Sequence, residues 1–181
     1  MQKVKIPITI DPRNAAARKL DCRGVVELGD FPRLSSMVDE LAGDIEVQVS
    51  FYRDATGLDV FAGRASVPAV MRCQRCLEPM TVTLSAEFRY AVDPEEVVRL
   101  GLEDQFDVAE LNGLGEILLC DIIEDELILS LPIVARHPLQ DCPAADLLQD
   151  QEADGGPEPE ERHNPFAALG EMIRNGNSSN S

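Results

Sequence analysis

The chain of 181 residues is 44% hydrophobic and 27% charged, which is typical of a globular domain and excludes fibrous and wholly disordered proteins. Its net charge of −17 is localised: residues 1–92 carry 12 acidic and 12 basic side chains, whereas residues 93–162 carry 20 acidic and 3 basic ones. Because nucleic-acid binding depends on Lys and Arg that neutralise phosphates, the second half is a poor RNA surface and suits a basic partner better.

The sequence contains no membrane or export signal. No segment approaches the roughly 18 consecutive apolar residues of a membrane helix, and the start, MQKVKIPITIDPRN, lacks the apolar run of a secretory signal. We therefore expect a cytoplasmic protein with no membrane partner. In that reducing compartment, the five cysteines predict metal or redox chemistry in preference to disulfides.

Alternating apolar residues predict strands in the first half of the chain. The segment KVKIPITIDP indicates an edge strand, because Pro7 cannot donate a ladder hydrogen bond. The segment RLSSMVDELAG has helical spacing up to Leu41 and predicts a short helix that stops at Gly43. Residues 45–52 and 58–62 alternate around the turn sequence RDATG and predict a hairpin, and residues 80–90 return as a further strand.

The second half contains the main predicted helix. Residues 93–112 are acidic and loop-like with one short helical turn, and NGLGEILLCDIIEDELILSLP follows, with Asn112 as its cap and Pro132 as its terminator. Two apolar stripes at helical spacing predict that this helix is mostly buried and covers the sheet. The stripes consist of Cys120, Ile123, Leu127 and Leu131, and of Leu114, Leu118, Ile122 and Leu129.

These elements predict an α+β fold, in which an antiparallel sheet of hairpins is covered by one long buried helix. Residues 1–148 form a single α+β domain in this interpretation. The stretch DQEADGGPEPEER predicts an acidic flexible linker over residues 149–163. Residues 164–181 are expected to form a short amphipathic helix, with Asn164 as cap and Pro165 at its first position, and a disordered tail.

The segment VMRCQRCLEPM places a Cys-x-x-Cys motif between two antiparallel strands. No helix signal follows it, which disfavours a thioredoxin-type redox pair. Zinc takes four thiolate or imidazole ligands, and ARHPLQDCP offers two more. The sequence thus predicts a structural zinc site, with no other cofactor, formed by Cys73, Cys76, His137 and Cys142. The alternative is a plain reverse turn with free thiols, in which His137 is an exposed loop residue.

The sequence does not support catalysis. It has only two histidines and no nucleophile beside a base, and consecutive carboxylates on one helix diverge too much to form a two-metal nuclease site. No catalytic residue is nominated, and we expect a binding protein. Arginines on a rigid turn can fork onto phosphate, or pair with nearby carboxylates instead. The candidate contacts to RNA or to a protein partner are Arg72, Arg75, Arg89, Glu124 and Asp125.

Four segments in order, MQKVKIPITIDP, CQRCLEP, IIEDELILSLPIVARH and NPFAAL, resemble the bacterial YceD family of large ribosomal RNA subunit accumulation proteins. The resemblance implies a ribosome biogenesis factor required for accumulation or processing of large-subunit ribosomal RNA, which acts by binding. Its implied partners are that RNA or a pre-ribosomal particle. The charge distribution favours an alternative, an acidic chaperone-like module that binds a basic large-subunit ribosomal protein.

Overall fold

A computed structural model describes residues 6–145. Within these residues the helices are α1 (Pro12–Ala17), α2 (Pro32–Met37), α3 (Pro94–Leu100) and α4 (Leu119–Leu129). The strands are β1 (Thr9–Ile10), β2 (Asp21–Val26), β3 (Glu40–Leu41), β4 (Ile45–Arg53), β5 (Asp59–Arg72), β6 (Pro79–Ala91), β7 (Asp107–Val108) and β8 (Ile117–Leu118). The α+β class predicted from the sequence is confirmed.

The central sheet is formed by β2-β4-β5-β6-β7 in that order, and β3 also pairs with β5. Strands β4, β5 and β6 are joined by two antiparallel hairpins. The pairing of β7 with β6 is parallel, so hairpins alone do not describe this sheet. Strands β1 and β8 form a separate two-stranded ladder.

One face of the sheet carries the main core. In β4 every second residue is buried, and Val49 is fully buried in the main core. A smaller cluster forms beside α3, where Val97 packs near Val60 and Phe106. Capping residues define both ends of helix α3. The Asp93 side chain accepts hydrogen bonds from backbone N–H groups of the first turn, and Gly101 ends the helix with a φ of 66°.

Helix α4 differs from the predicted long buried helix. It starts at Leu119, because residues 117–118 pair with β1 as a strand. The predicted cap, Asn112, instead accepts hydrogen bonds from the N–H groups of Leu114 and Glu116 and so closes a turn. Only one of the two apolar stripes is buried, since Leu114 and Leu129 are 83% and 78% exposed. The short helix predicted up to Leu41 is also too long, because α2 ends at Met37 and Leu41 lies in β3.

A compact unit ends at Cys142. The predicted domain end at residue 148, the linker over 149–163 and the helix and tail over 164–181 lie outside the described range, so they stay predictions. Among residues 6–145, no helix has the length and apolar character needed to cross a membrane.

Candidate metal centre

The first half of the candidate site is the turn that joins β5 to β6. The N–H of Cys73 donates to the carbonyl of Glu78 at 2.9 Å, and the N–H of Leu77 donates to the carbonyl of Cys73 at 2.8 Å. Leu77 has a φ of 65°, a left-handed conformation that lets the chain reverse within a few residues. The turn therefore brings Cys73 and Cys76 close together.

The second half of the site comes from the segment that follows α4. The N–H of Gln74 donates to the carbonyl of Ala135 at 2.8 Å, which attaches this segment to the turn. A 3₁₀ turn over Leu139–Asp141 then leads into Cys142. His137 thereby reaches Cys76, from which it is separated by 61 positions in the sequence.

Four potential ligand atoms meet at this place. The sulfurs of Cys73, Cys76 and Cys142 and a ring nitrogen of His137 all lie within 4.8 Å of one another. The Nδ1 atom of His137 is 3.4 Å from the sulfur of Cys76. Cys73 and Cys142 are buried, while Cys76 and His137 are half-buried. The structure therefore does not match the alternative in which His137 is an exposed loop residue.

The pKa values of Cys73 and Cys76 are shifted in opposite directions. Burial raises the pKa of the Cys73 thiol, but hydrogen bonds from the backbone N–H groups of Cys76, His137 and Arg75 outweigh burial and lower this pKa to about 5. Burial also raises the pKa of Cys76, and the neighbouring thiols of Cys73 and Cys142 raise it further. Deprotonation of Cys73 is thus favoured over that of Cys76, and a bound divalent cation would stabilise more than one thiolate.

The donor set fits zinc. Zn²⁺ takes thiolate and imidazole ligands in a tetrahedron with a Zn–S distance of about 2.3 Å, which places neighbouring sulfurs about 3.8 Å apart. Ligand atoms that already lie within 4.8 Å of one another need little movement to reach that geometry. Calcium and magnesium prefer oxygen ligands, which this cluster lacks. The four residues together would complete the tetrahedron of a zinc ion, as in structural zinc sites.

The three arginine candidates have different surroundings. The Arg72 side chain is 73% exposed and lies 3.5 Å from a carboxylate oxygen of Asp39. Arg75 is half-buried between the two cysteines. The guanidinium of Arg89 lies 4.2 Å over the Phe106 ring. Arg89 also lines a cleft with five acidic residues, which disfavours a phosphate contact; these are Glu87, Glu103, Asp104, Asp107 and Glu126.

Glu124 has a structural role that its assignment as a partner contact did not foresee. It is 2% exposed, so its carboxylate is not available at the surface. One carboxylate oxygen accepts hydrogen bonds from the backbone N–H groups of Arg33 and Leu34 at 2.7 and 3.0 Å, and the other accepts from the Arg33 side chain. Glu124 therefore caps the start of α2. Asp125 remains exposed and forms an ion pair with Arg33.

Sequence reasoning missed Arg33, although it binds both carboxylates of this pair. Pro32 marks the first position of α2 and could have located the helix start. No local signal points from that start to Glu124, which lies 91 positions away from Arg33.

Comparisons with known proteins agree with the motifs. The family model described as "Large ribosomal RNA subunit accumulation protein YceD" matches residues 61–172, a range that includes all four residues of the Cys/His cluster. The chain is also 38% identical to the Haemophilus influenzae large ribosomal RNA subunit accumulation protein YceD over 175 residues, which cover 95% of this chain and 98% of that relative. No solved structure matches the chain. The expectation from the four motifs is confirmed, and this chain belongs to the YceD family.

Proposed function

We propose that this protein is a ribosome biogenesis factor that supports the accumulation of large-subunit ribosomal RNA in the cytoplasm, and that it acts by binding. The observation that carries this proposal is the similarity to the Haemophilus influenzae protein of that name over 95% of the chain. Because nearly the whole length of both proteins is covered, the likeness involves the complete relative and not one shared module.

The side chains of the described residues support binding in preference to catalysis. His137 is the one histidine among residues 6–145, and it lies in the cysteine cluster. It is therefore not available as a general base for a nucleophile elsewhere in this part of the protein. A metal held by four protein side chains also has no open position for substrate.

We further propose that the Cys/His cluster holds a structural zinc ion. The ion joins the β5–β6 turn to the segment after α4 and so fixes the end of that helix to the sheet. Elemental analysis of purified protein tests this proposal. We expect about one zinc per chain in the wild type and in Cys22→Ser, and none in Cys73→Ser. Equal zinc contents in the two variants would contradict the assignment.

The cellular role is tested by deletion of the gene. We expect the ratio of large-subunit to small-subunit ribosomal RNA to fall in the deletion strain and to recover when the wild-type gene is supplied. The Glu46→Gln variant serves as a control for expression, because Glu46 is exposed and is not among the candidate contacts. An unchanged RNA ratio in the deletion strain would overturn the proposed function.

A second candidate function is favoured by the charge distribution, with 20 acidic and 3 basic side chains in residues 93–162. In this version the protein binds a basic large-subunit ribosomal protein until that protein joins the RNA. Purification of the associated particles with and without ribonuclease separates the two versions. Association that survives digestion, and that is unchanged when Arg72 and Arg75 are reversed to Glu, favours the protein partner over direct RNA contact.

A further inference from the structure

A groove of about 470 Å³ lies between α4 and the segment that contains β7 and β8. Its apolar lining includes Val108, Leu118 and Ile122. Val108 and Leu118 are 39% and 44% exposed, and Ile122 is partly buried. We call this feature the α4 groove. Its volume lies in the range of ligand-binding pockets, about 300–1,000 Å³.

The apolar lining belongs to the second apolar stripe of the α4 sequence. In the first stripe, Ile123 and Leu127 are fully buried in the main core and Leu131 is partly buried against it. In the second stripe, Leu118 at the end of β8 and Ile122 in α4 line the groove, and Ile122 also packs against the edge of the main core. An apolar stripe that remains accessible at the surface is characteristic of a docking site.

All charged side chains that line the groove among the described residues are acidic. It contributes the carboxylates of Glu110, Glu116, Asp121 and Asp125, and no Lys or Arg among the described residues lines it. Asp125 is paired with Arg33. The other ion pairs within residues 6–145 involve Asp39, Asp59, Glu96 and Glu124, so three groove carboxylates have no cationic partner there. An apolar groove with this rim is complementary to a basic, apolar ligand.

We propose that the α4 groove binds a basic polypeptide segment. Its aliphatic side chains contact Leu118 and Ile122, and its Lys or Arg side chains contact the carboxylates of Glu110, Glu116 and Asp121. The inference rests on the second candidate function and gives that function a location. An RNA occupant is disfavoured because carboxylates repel phosphates. A second copy of the chain is disfavoured because both copies carry a net charge of −17.

The proposal is tested with the purified full chain and a fluorescent synthetic peptide of lysines and leucines at helical spacing. In the double variant Glu110→Lys/Asp121→Lys, two exposed carboxylates of the groove are reversed. Its control, Glu46→Lys/Glu95→Lys, makes the same charge change at two exposed positions that do not line the groove. We expect the groove variant to weaken the peptide Kd by about tenfold and the control by less than about twofold.

The apolar contact is tested by a double-mutant cycle. Replacing the peptide leucines by serines should weaken binding to the wild type, and Leu118→Ser should then cause little further loss. If Leu118→Ser weakens both peptides equally, or if both charge reversals have the same effect, the attraction is general and the groove assignment is wrong. Absence of peptide binding to the wild type also overturns it, as does binding of an RNA oligonucleotide that depends on Leu118.

This test is separate from that of the proposed function. If the groove variants do not change the peptide affinity, the groove assignment is wrong. The cellular role is not affected by that result, because it is tested by the ribosomal RNA ratio in the deletion strain. An unchanged RNA ratio removes the cellular role even when the peptide binds in the groove.

Discussion

Removal of the Glu124 carboxylate is the most informative single perturbation of the fold. This side chain on α4 is almost completely buried, and it connects α4 to the start of α2. Its Oε1 atom accepts from the backbone N–H groups of Arg33 and Leu34 at 2.7 and 3.0 Å, and its Oε2 atom accepts from Nε of Arg33 at 2.8 Å. A Glu124→Ala variant loses all three hydrogen bonds together.

The expected loss of stability follows from the hydrogen-bond donors that lose their acceptor. A hydrogen bond to a charged group contributes about 1.5–3 kcal/mol, and a buried N–H without an acceptor costs about 1–3 kcal/mol. The Arg33 side chain is 51% exposed, so water can replace its bond. Leu34 is fully buried, so its N–H has no such replacement. We therefore expect Glu124→Ala to lower the free energy of unfolding by about 3 kcal/mol, mostly through the start of α2.

A Glu124→Gln variant separates the cap from the charge. Its amide oxygen can still accept from both backbone N–H groups, whereas its NH₂ group faces another donor, Nε of Arg33. We expect this variant to lose about half as much stability as the alanine variant.

The assay is urea unfolding of the full chain followed by far-ultraviolet circular dichroism, at equal metal content. Asp125→Ala is the matched control, because its ion pair with Arg33 is exposed and contributes less than about 1 kcal/mol. The reasoning is refuted if Glu124→Ala costs no more than Asp125→Ala, or if Glu124→Gln and Glu124→Ala cost the same.

Metal binding, close packing within the sheet and the pH dependence of stability can each be tested by unfolding experiments. A zinc chelator should lower the Tm of wild type and Cys22→Ser and leave that of Cys73→Ser unchanged; equal shifts in calorimetry would argue against the cluster. Gly63→Ala should cost about 1–3 kcal/mol in urea unfolding, because its Cβ would lie 2.7 Å from a backbone oxygen and an aromatic ring, whereas Gly29→Ala meets no atom within 4 Å and should be neutral. Burial and a neighbouring carboxylate raise the pKa of Tyr90, so its stabilising effect relative to Tyr90→Phe should be complete below pH about 10 and decline above it. A difference in unfolding free energy that is constant with pH would contradict this last prediction.

Local patterns predicted the parts of the fold that depend on neighbouring residues. The alternation in β4 and β5 identified both strands and the turn between them, because buried and exposed positions alternate along a strand whichever element covers it. The Cys-x-x-Cys motif was correctly placed between two antiparallel strands. Helix α1 could have been found in the same way, since Asp11 caps its first turn and Pro12 occupies its first position.

Contacts between distant segments were not predictable in the same way. The two predicted apolar stripes are equivalent in sequence, yet Ile123 and Leu127 of one stripe are fully buried, whereas Leu118 and Leu129 of the other are exposed. Pairing of β8 with β1 also shortened the helix at its N-terminus, against the local helical pattern. Strand pairing therefore took precedence over the local helical periodicity, which extends beyond the helix that forms.

The family, the α+β class and the residue types able to hold a metal can be inferred from the sequence alone, because they depend on composition, periodicity and motif spacing. Which distant segments contact each other depends on the folding of the whole chain. It brought His137 to Cys76 across 61 positions and Glu124 to Arg33 across 91. It also left Leu118 accessible beside carboxylates that form no ion pair within residues 6–145. The physical reason is that such contacts depend on how the whole chain buries its apolar surface, which no short window of sequence contains.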